Sequence, residues 1–171
     1  MTIDYEPITP PGRLDALQEL RLPVDMLRWA PSLLAMKARR AAHPRTVILL
    51  PGFGAGPRSM RVIESFLRRR GHRVRDWGLG VNNGDARKFR VQLESIVGQS
   101  IATYGEPVVL VGWSLGGYIA REYAREHPEG VRRIVTLGSP VIGGPRYTAT
   151  SEWYRSRGHD LAEMEHAVKS R

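Results

Sequence analysis

Apolar positions in this chain fall into short continuous runs, separated by stretches whose apolar residues recur at helical spacing. The runs Thr46 to Leu50, Arg73 to Trp77, Pro107 to Val111 and Arg133 to Leu137 are continuous where a one-sided sheet would alternate, so they predict parallel strands buried on both faces. Between them, Met60, Ile63, Phe66 and Leu67 share one helical face before Gly71, a C-cap signal. Phe89, Leu93, Ile96, Val97, Ile101 and Tyr104 make a longer stripe before Gly105. Strand and helix alternate throughout, which is the grammar of an open, mostly parallel α/β sheet of at least four strands with helices on both faces.

The flanks read differently. Residues 1–43 carry Leu14, Leu17, Leu20, Leu27, Trp29 and Leu33 interrupted by Pro23 and Pro31, which predicts short amphipathic helices packed on a core over 44–145. An interfacial membrane anchor is the other reading of that stretch. The tail over 146–171 predicts a cap-like helical segment, whose last helix starts at Asp160 with Glu163 three residues on, a capping-box spacing.

Chemistry enters at the third strand. Pro107-Val108-Val109-Leu110-Val111 runs into Gly112-Trp113-Ser114-Leu115-Gly116, a Gly-x-Ser-x-Gly sequence that passes directly into a helical pattern. A serine on such a strand-to-helix turn has its hydroxyl exposed, and the flanking glycines let strand and helix approach without side-chain clashes. Ser114 is therefore the candidate nucleophile; an ordinary glycine-rich turn is the bland alternative. After the first strand, Pro51-Gly52-Phe53-Gly54-Ala55-Gly56 suits an oxyanion hole, which needs one N–H from this loop and one from the residue after the nucleophile. Those donors are Phe53 and Leu115, with Gly54 as fallback. A phosphate cradle is the competing use of the loop, but its glycine spacing matches neither the dinucleotide fingerprint nor the P-loop.

These three segments, Pro51 to Gly54, Gly112 to Gly117 and Thr136-Leu137-Gly138-Ser139-Pro140, resemble the bacterial lipase and esterase branch of the α/β-hydrolase superfamily over roughly residues 40–145. The resemblance implies a partial α/β-hydrolase fold and a serine hydrolase of carboxylic esters that uses no metal or organic cofactor. Many relatives have His-Gly where this chain has Pro51-Gly52. In that family the triad acid and histidine follow the serine on loops behind later strands. After Ser114 this chain offers one aspartate, Asp160, and three histidines, His127, His159 and His166, none of them following a strand. His127 reads as a C-terminal residue of the elbow helix and Asp160 as a helix cap. Asp160 and His166 have the right order for an acid and a base, but on one helix they would not easily reach the elbow from opposite sides. The expectation is a truncated hydrolase module, or an incomplete reading frame, with the rest of the triad outside these 171 residues. The strand ending at Leu137 would then be left as an uncovered apolar edge.

Composition narrows the remaining classes. The absence of cysteine excludes disulfides, thiolate metal sites and a cysteine nucleophile. No stretch has the length and apolarity of a transmembrane helix. The first residues lack a basic and then apolar secretory pattern, so a cytoplasmic location is expected. A net charge of +9 would attract anionic membrane or nucleic acid. The arginine clusters Arg39-Arg40, Arg68-Arg69-Arg70 and Arg132-Arg133 sit at element ends without interleaved aromatics, so nucleic acid is not an expected partner. Phe53, Trp113, Tyr147, Trp153 and Tyr154 are the aromatic candidates for lining the mouth, which favours a small apolar acyl or aryl ester as substrate; each is equally an ordinary core or cap residue. The competing functional reading is a non-catalytic hydrolase remnant without acid and base.

Overall fold

The computed structural model describes residues 39–139 together with Arg28, Pro31 and Ser32, all within one compact unit, Arg28–Ser139. Most of the segment expected over 1–43 and all of the tail expected over 146–171 lie outside the described residues.

Four parallel strands form the sheet: β1 (Thr46–Leu50), β2 (Arg73–Asp76), β3 (Val108–Trp113) and β4 (Val131–Leu137), in the spatial order β2-β1-β3-β4. Three helices connect them: α1 (Arg61–Arg69), α2 (Ala86–Tyr104) and α3 (Leu115–Glu126). The path from β1 to β2 runs one way across the sheet, while the paths from β2 to β3 and from β3 to β4 run the other way. Right-handed crossovers then put α1 on one face and α2 and α3 on the opposite face.

Burial follows from that placement. β1 is central and every one of its residues is buried, which is why its apolar run does not alternate. Val47 and Leu49 join Met60, Val74 and Val111 in a core cluster, against which Ile63 and Leu67 of α1 and Trp113 pack. Ile48 and Leu50 point to the other face, where α3 touches β1, β3 and β4 and packs on α2. In register, Leu50 lies beside Gly112, so the ends of β1 and β3 that carry the two candidate loops are neighbours.

Helix ends are set locally. After α1, Gly71 at φ +90° lets its N–H reach the Arg68 carbonyl (2.9 Å) and that of His72 reach Leu67 (3.1 Å), a Schellman closure. At the start of α2 the Asp85 carboxylate accepts the Lys88 N–H at 3.0 Å. Strand limits differ from the sequence expectation by one or two residues in three of the strands. β2 stops at Asp76 and leaves Trp77 fully buried behind it, β3 continues through Gly112 and Trp113, and β4 begins at Val131. Among the described residues β4 pairs only with β3, and Val135 and Leu137 are 38% and 36% exposed.

The amino ends of the strands are pinned by charge. The Glu106 carboxylate takes the Arg45 guanidinium at 2.6 Å and also that of Arg73, which lies over the Tyr104 ring. Its carboxyl is held below the usual range, first by the Arg45 hydrogen bond and then by the surrounding guanidinium charges.

Candidate functional site

The turn between β3 and α3 is strained at one residue. Ser114 has φ +50° and ψ −120°, and no other described non-glycine residue has positive φ. An L-residue reaches this region only when its surroundings over-determine it. Here both sides of the residue are tied. Its N–H donates to the Leu137 carbonyl at the end of β4 (2.8 Å), and its carbonyl accepts the N–H groups of Gly117 (3.0 Å) and Tyr118 (3.3 Å) in the first turn of α3. Its hydroxyl does not cap the helix, so it stays available.

Three glycines make the turn sterically possible. A Cβ on Gly112 would run into the backbone of Gly116 and Gly117, and one on Gly116 would strike the Leu50 and Pro51 carbonyls. One on Gly117 would strike the Ser139 side chain. The helix start is therefore pressed directly against the end of β1.

That contact brings the glycine loop to the serine. A Cβ on Gly52 would lie 3.1 Å from Trp113 Cε3 and 3.4 Å from Ser114 Cβ, so the loop backbone passes beside Ser114. Phe53 is the next residue. The first-turn N–H groups of Leu115 and Gly116 have no acceptor inside the helix, and the positive end of α3 faces Ser114. Gly54, the fallback donor, has its N–H committed to the Asn82 carbonyl at 2.7 Å, which removes it from the pair in this geometry.

The expected residues divide three ways. Phe53, Gly54, Trp113, Ser114 and Leu115 converge at the carboxyl ends of β1 and β3. Tyr147, Trp153, Tyr154, His159, Asp160 and His166 lie outside the described residues. The described histidines, His43, His72 and His127, all precede strands and so lie at the amino end of the sheet. His127 closes α3 and stacks on Tyr123 with centroids 4.7 Å apart; twelve helical residues put it about 18 Å from Ser114.

Asn82 belongs to the site although no sequence pattern singled it out. It is wholly buried, and it bonds to the glycine loop through both its side chain and its backbone. Its only sequence signal was the polar run Asn82-Asn83-Gly84-Asp85, which reads as a surface turn. A cleft of about 630 Å³ between α1, α2 and β2, lined by Glu64, Arg68, Asp76 and Gln92 among others, includes none of the site residues. Among the described residues no group of three or more His, Cys, Asp or Glu side chains could hold a metal ion, and no described helix is long and apolar enough to cross a membrane.

Residues 92–162 match the family model of the alpha/beta hydrolase fold, across the strained serine turn. The chain has the α/β-hydrolase fold. It is 32% identical over 108 residues to the pimeloyl-[acyl-carrier protein] methyl ester esterase of Aromatoleum aromaticum, covering 63% of this chain and 42% of that protein. The Aeromonas hydrophila protein of the same name is 30% identical over 122 residues, covering 70% of this chain and 46% of its own. The chain thus spans less than half the length of these relatives. Its fold resembles that of the mature lipase BlEst2 of Bacillus licheniformis, with TM-score 0.52 and 17% identity, covering 78% of this chain and 61% of that one. It also resembles a lipase-esterase related protein of Clostridium acetobutylicum, with TM-score 0.52 and 16% identity, covering 74% and 55%.

Proposed function

We propose that the chain cleaves carboxylic esters, with Ser114 as nucleophile and the backbone N–H groups of Phe53 and Leu115 as the oxyanion hole. The observation that carries the reading is the forced conformation of Ser114 beside the Gly52 backbone. A strained, uncapped serine pressed against a glycine loop has no evident structural use, whereas acyl transfer needs those two parts together. The hydroxyl oxygen would attack the acyl carbonyl, its proton leaving to a base as the new C–O bond forms. The negative charge that develops on the carbonyl oxygen would be met by the two N–H groups and the start of α3. Collapse of the adduct expels the alcohol, and water then releases the acid.

The base belongs, in this reading, outside the described residues, because every described histidine lies at the far end of the sheet. The methyl ester esterases among its relatives support an ester as substrate. Turnover of p-nitrophenyl esters by the wild type and by Ser114→Ala tests the proposal, and equal rates in both would end it.

The placement of the histidines favours a second reading, a non-catalytic hydrolase domain. General-base activation contributes on the order of a hundredfold to ten-thousandfold, so without it the hydroxyl would be nearly inert. Stoichiometric labelling of Ser114 by a fluorophosphonate excludes this second reading; absence of labelling supports it.

A further inference from the structure

We infer that Asn82 is the positioning residue of the oxyanion loop, fixing the peptide that carries the Phe53 N–H by holding the peptides on either side of it. On one side, the Asn82 side-chain Nδ2 donates to the Pro51 carbonyl at 2.8 Å. On the other, the Asn82 carbonyl accepts the Gly54 N–H at 2.7 Å, and the Asn82 N–H donates to the Ala55 carbonyl at 2.9 Å. Between these anchors lies the Gly52–Phe53 peptide, whose own carbonyl is closed into the turn by the Ala55 N–H at 3.1 Å. The Pro51 carbonyl is further confined from the helix side, where Gly116 packs on it so closely that no side chain fits. The loop cannot swing toward or away from Ser114 while those contacts hold.

Asparagine is chosen by the chemistry of the position. The side chain must donate to Pro51 and, through Oδ1, accept the Gly84 N–H at 3.1 Å, which orients its amide. An ionised carboxylate accepts only and would face the Pro51 carbonyl with a second oxygen; glutamine carries an extra methylene into a site with no exposed surface. Asn83, next in the chain, is exposed and accepts the local Asp85 N–H, so it is a natural control. Because catalysis is sensitive to small misplacements of oxyanion donors, loss of the clamp should slow reaction at Ser114 by about tenfold to a hundredfold.

The inference rests on the reading of Ser114 and Phe53 as nucleophile and oxyanion donor. Its test is the rate of Ser114 phosphonylation by a fluorophosphonate in the 171-residue chain, with the folded fraction followed by circular dichroism. Wild type, Asn82→Ala, Asn82→Asp and Asn83→Ala are compared under conditions where each is fully folded. The expected result is slow labelling of both Asn82 variants and wild-type labelling of Asn83→Ala. A pH series adds a signature that loss of stability would not produce. A buried aspartic acid regains a donor when protonated, so the Asn82→Asp rate relative to wild type should recover as pH falls, while the Asn82→Ala ratio stays flat. Wild-type rates in folded Asn82 variants would overturn the inference and leave the serine reading intact. Failure of both variants to fold at every pH would also overturn it, making Asn82 a folding residue. No labelling of the wild type would instead refute the serine reading, and the clamp with it.

Discussion

Gly112 of β3 and Gly117 of α3 meet backbone to backbone, at a separation that leaves no room for a Cβ on Gly112. The contact sets how closely the elbow helix follows its strand, and so where Ser114 stands relative to the Gly52 loop. Gly116 makes the equivalent contact with the Leu50 and Pro51 carbonyls. Because the obstacles are main-chain atoms, no rotamer change can relieve them.

Gly112→Ala and Gly116→Ala should therefore destabilise the fold by about 1–3 kcal/mol each, the usual range for overpacking a rigid site. Urea unfolding would show the midpoint falling with little change in slope. An alanine at Gly98, where nothing lies within 4 Å of the added Cβ, should be neutral or stabilising, since it replaces a glycine inside α2. Equal midpoints for Gly112→Ala and Gly98→Ala would contradict the close-contact account.

Ser114 itself should be a stability cost kept for chemistry. A non-glycine residue in a sparsely populated region costs about 1–3 kcal/mol, and glycine avoids that cost while losing about 0.5–1 kcal/mol in chain entropy. Ser114→Gly is expected to gain about 1 kcal/mol in thermal or urea unfolding and to lose all fluorophosphonate labelling. Ser114→Ala keeps the strained backbone and should lose labelling without that gain. A Ser114→Gly protein less stable than wild type would show that the turn is not strained.

How much of this was visible in the sequence depends on whether a signal was local. Thr46 to Leu50 was legible to the residue, because a strand buried on both faces leaves an unbroken apolar run. The third strand was placed two residues short, since Gly112 interrupts the hydrophobic pattern although the backbone stays extended through Trp113. His127 was legible as a helix end from its place before Pro128. The strand order was not, because right-handed crossovers allow more than one order for four strands. Nor was Asn82, whose partner Pro51 lies 31 positions earlier and whose neighbours read as an ordinary polar turn. Gly54 shows the converse. Its place in the loop made it a plausible donor, and only the fold reveals the Asn82 carbonyl that takes its N–H.

Stability should fall with acid in two stages. His72 Nδ1 accepts the Arg45 N–H at 3.1 Å, and burial, followed by the Arg70 guanidinium, holds the imidazole below its ordinary value of 6.5. A lowered pKa means that the unfolded chain binds the proton more readily. The His72 contribution is then complete above 6.5 and is lost as pH falls from there through the folded value. Glu106 is also lowered, from 4.5, so its contribution is complete above 4.5 and is lost at lower pH. Urea midpoints measured from pH 8 to pH 3 should decline from about pH 6.5, and more steeply below about pH 4.5. His72→Gln should flatten the first decline and Glu106→Gln the second. Unchanged profiles in both variants would show that the acid sensitivity arises elsewhere.

Trp77 links the core to the loop that carries Asn82. It is fully buried just after β2, packs on Phe89 with ring centroids 4.6 Å apart, and donates its indole N–H to the Gly80 carbonyl at 2.9 Å. Gly80 and Gly78 both have positive φ, so the segment between Trp77 and Asn82 turns back on itself and depends on that bond to hold its path. Trp77→Ala should destabilise the fold by about 3–5 kcal/mol, as for any large buried aromatic. Trp77→Phe is the informative variant. It keeps most of the packing but leaves the Gly80 carbonyl without its indole donor, so its stability loss should be smaller, about 1–3 kcal/mol. If the segment guides Asn82 to Pro51, Trp77→Phe should also slow Ser114 labelling in fully folded protein. Wild-type labelling in Trp77→Phe with the expected stability loss would confine Trp77 to the core and leave Asn82 to hold the loop through its own contacts.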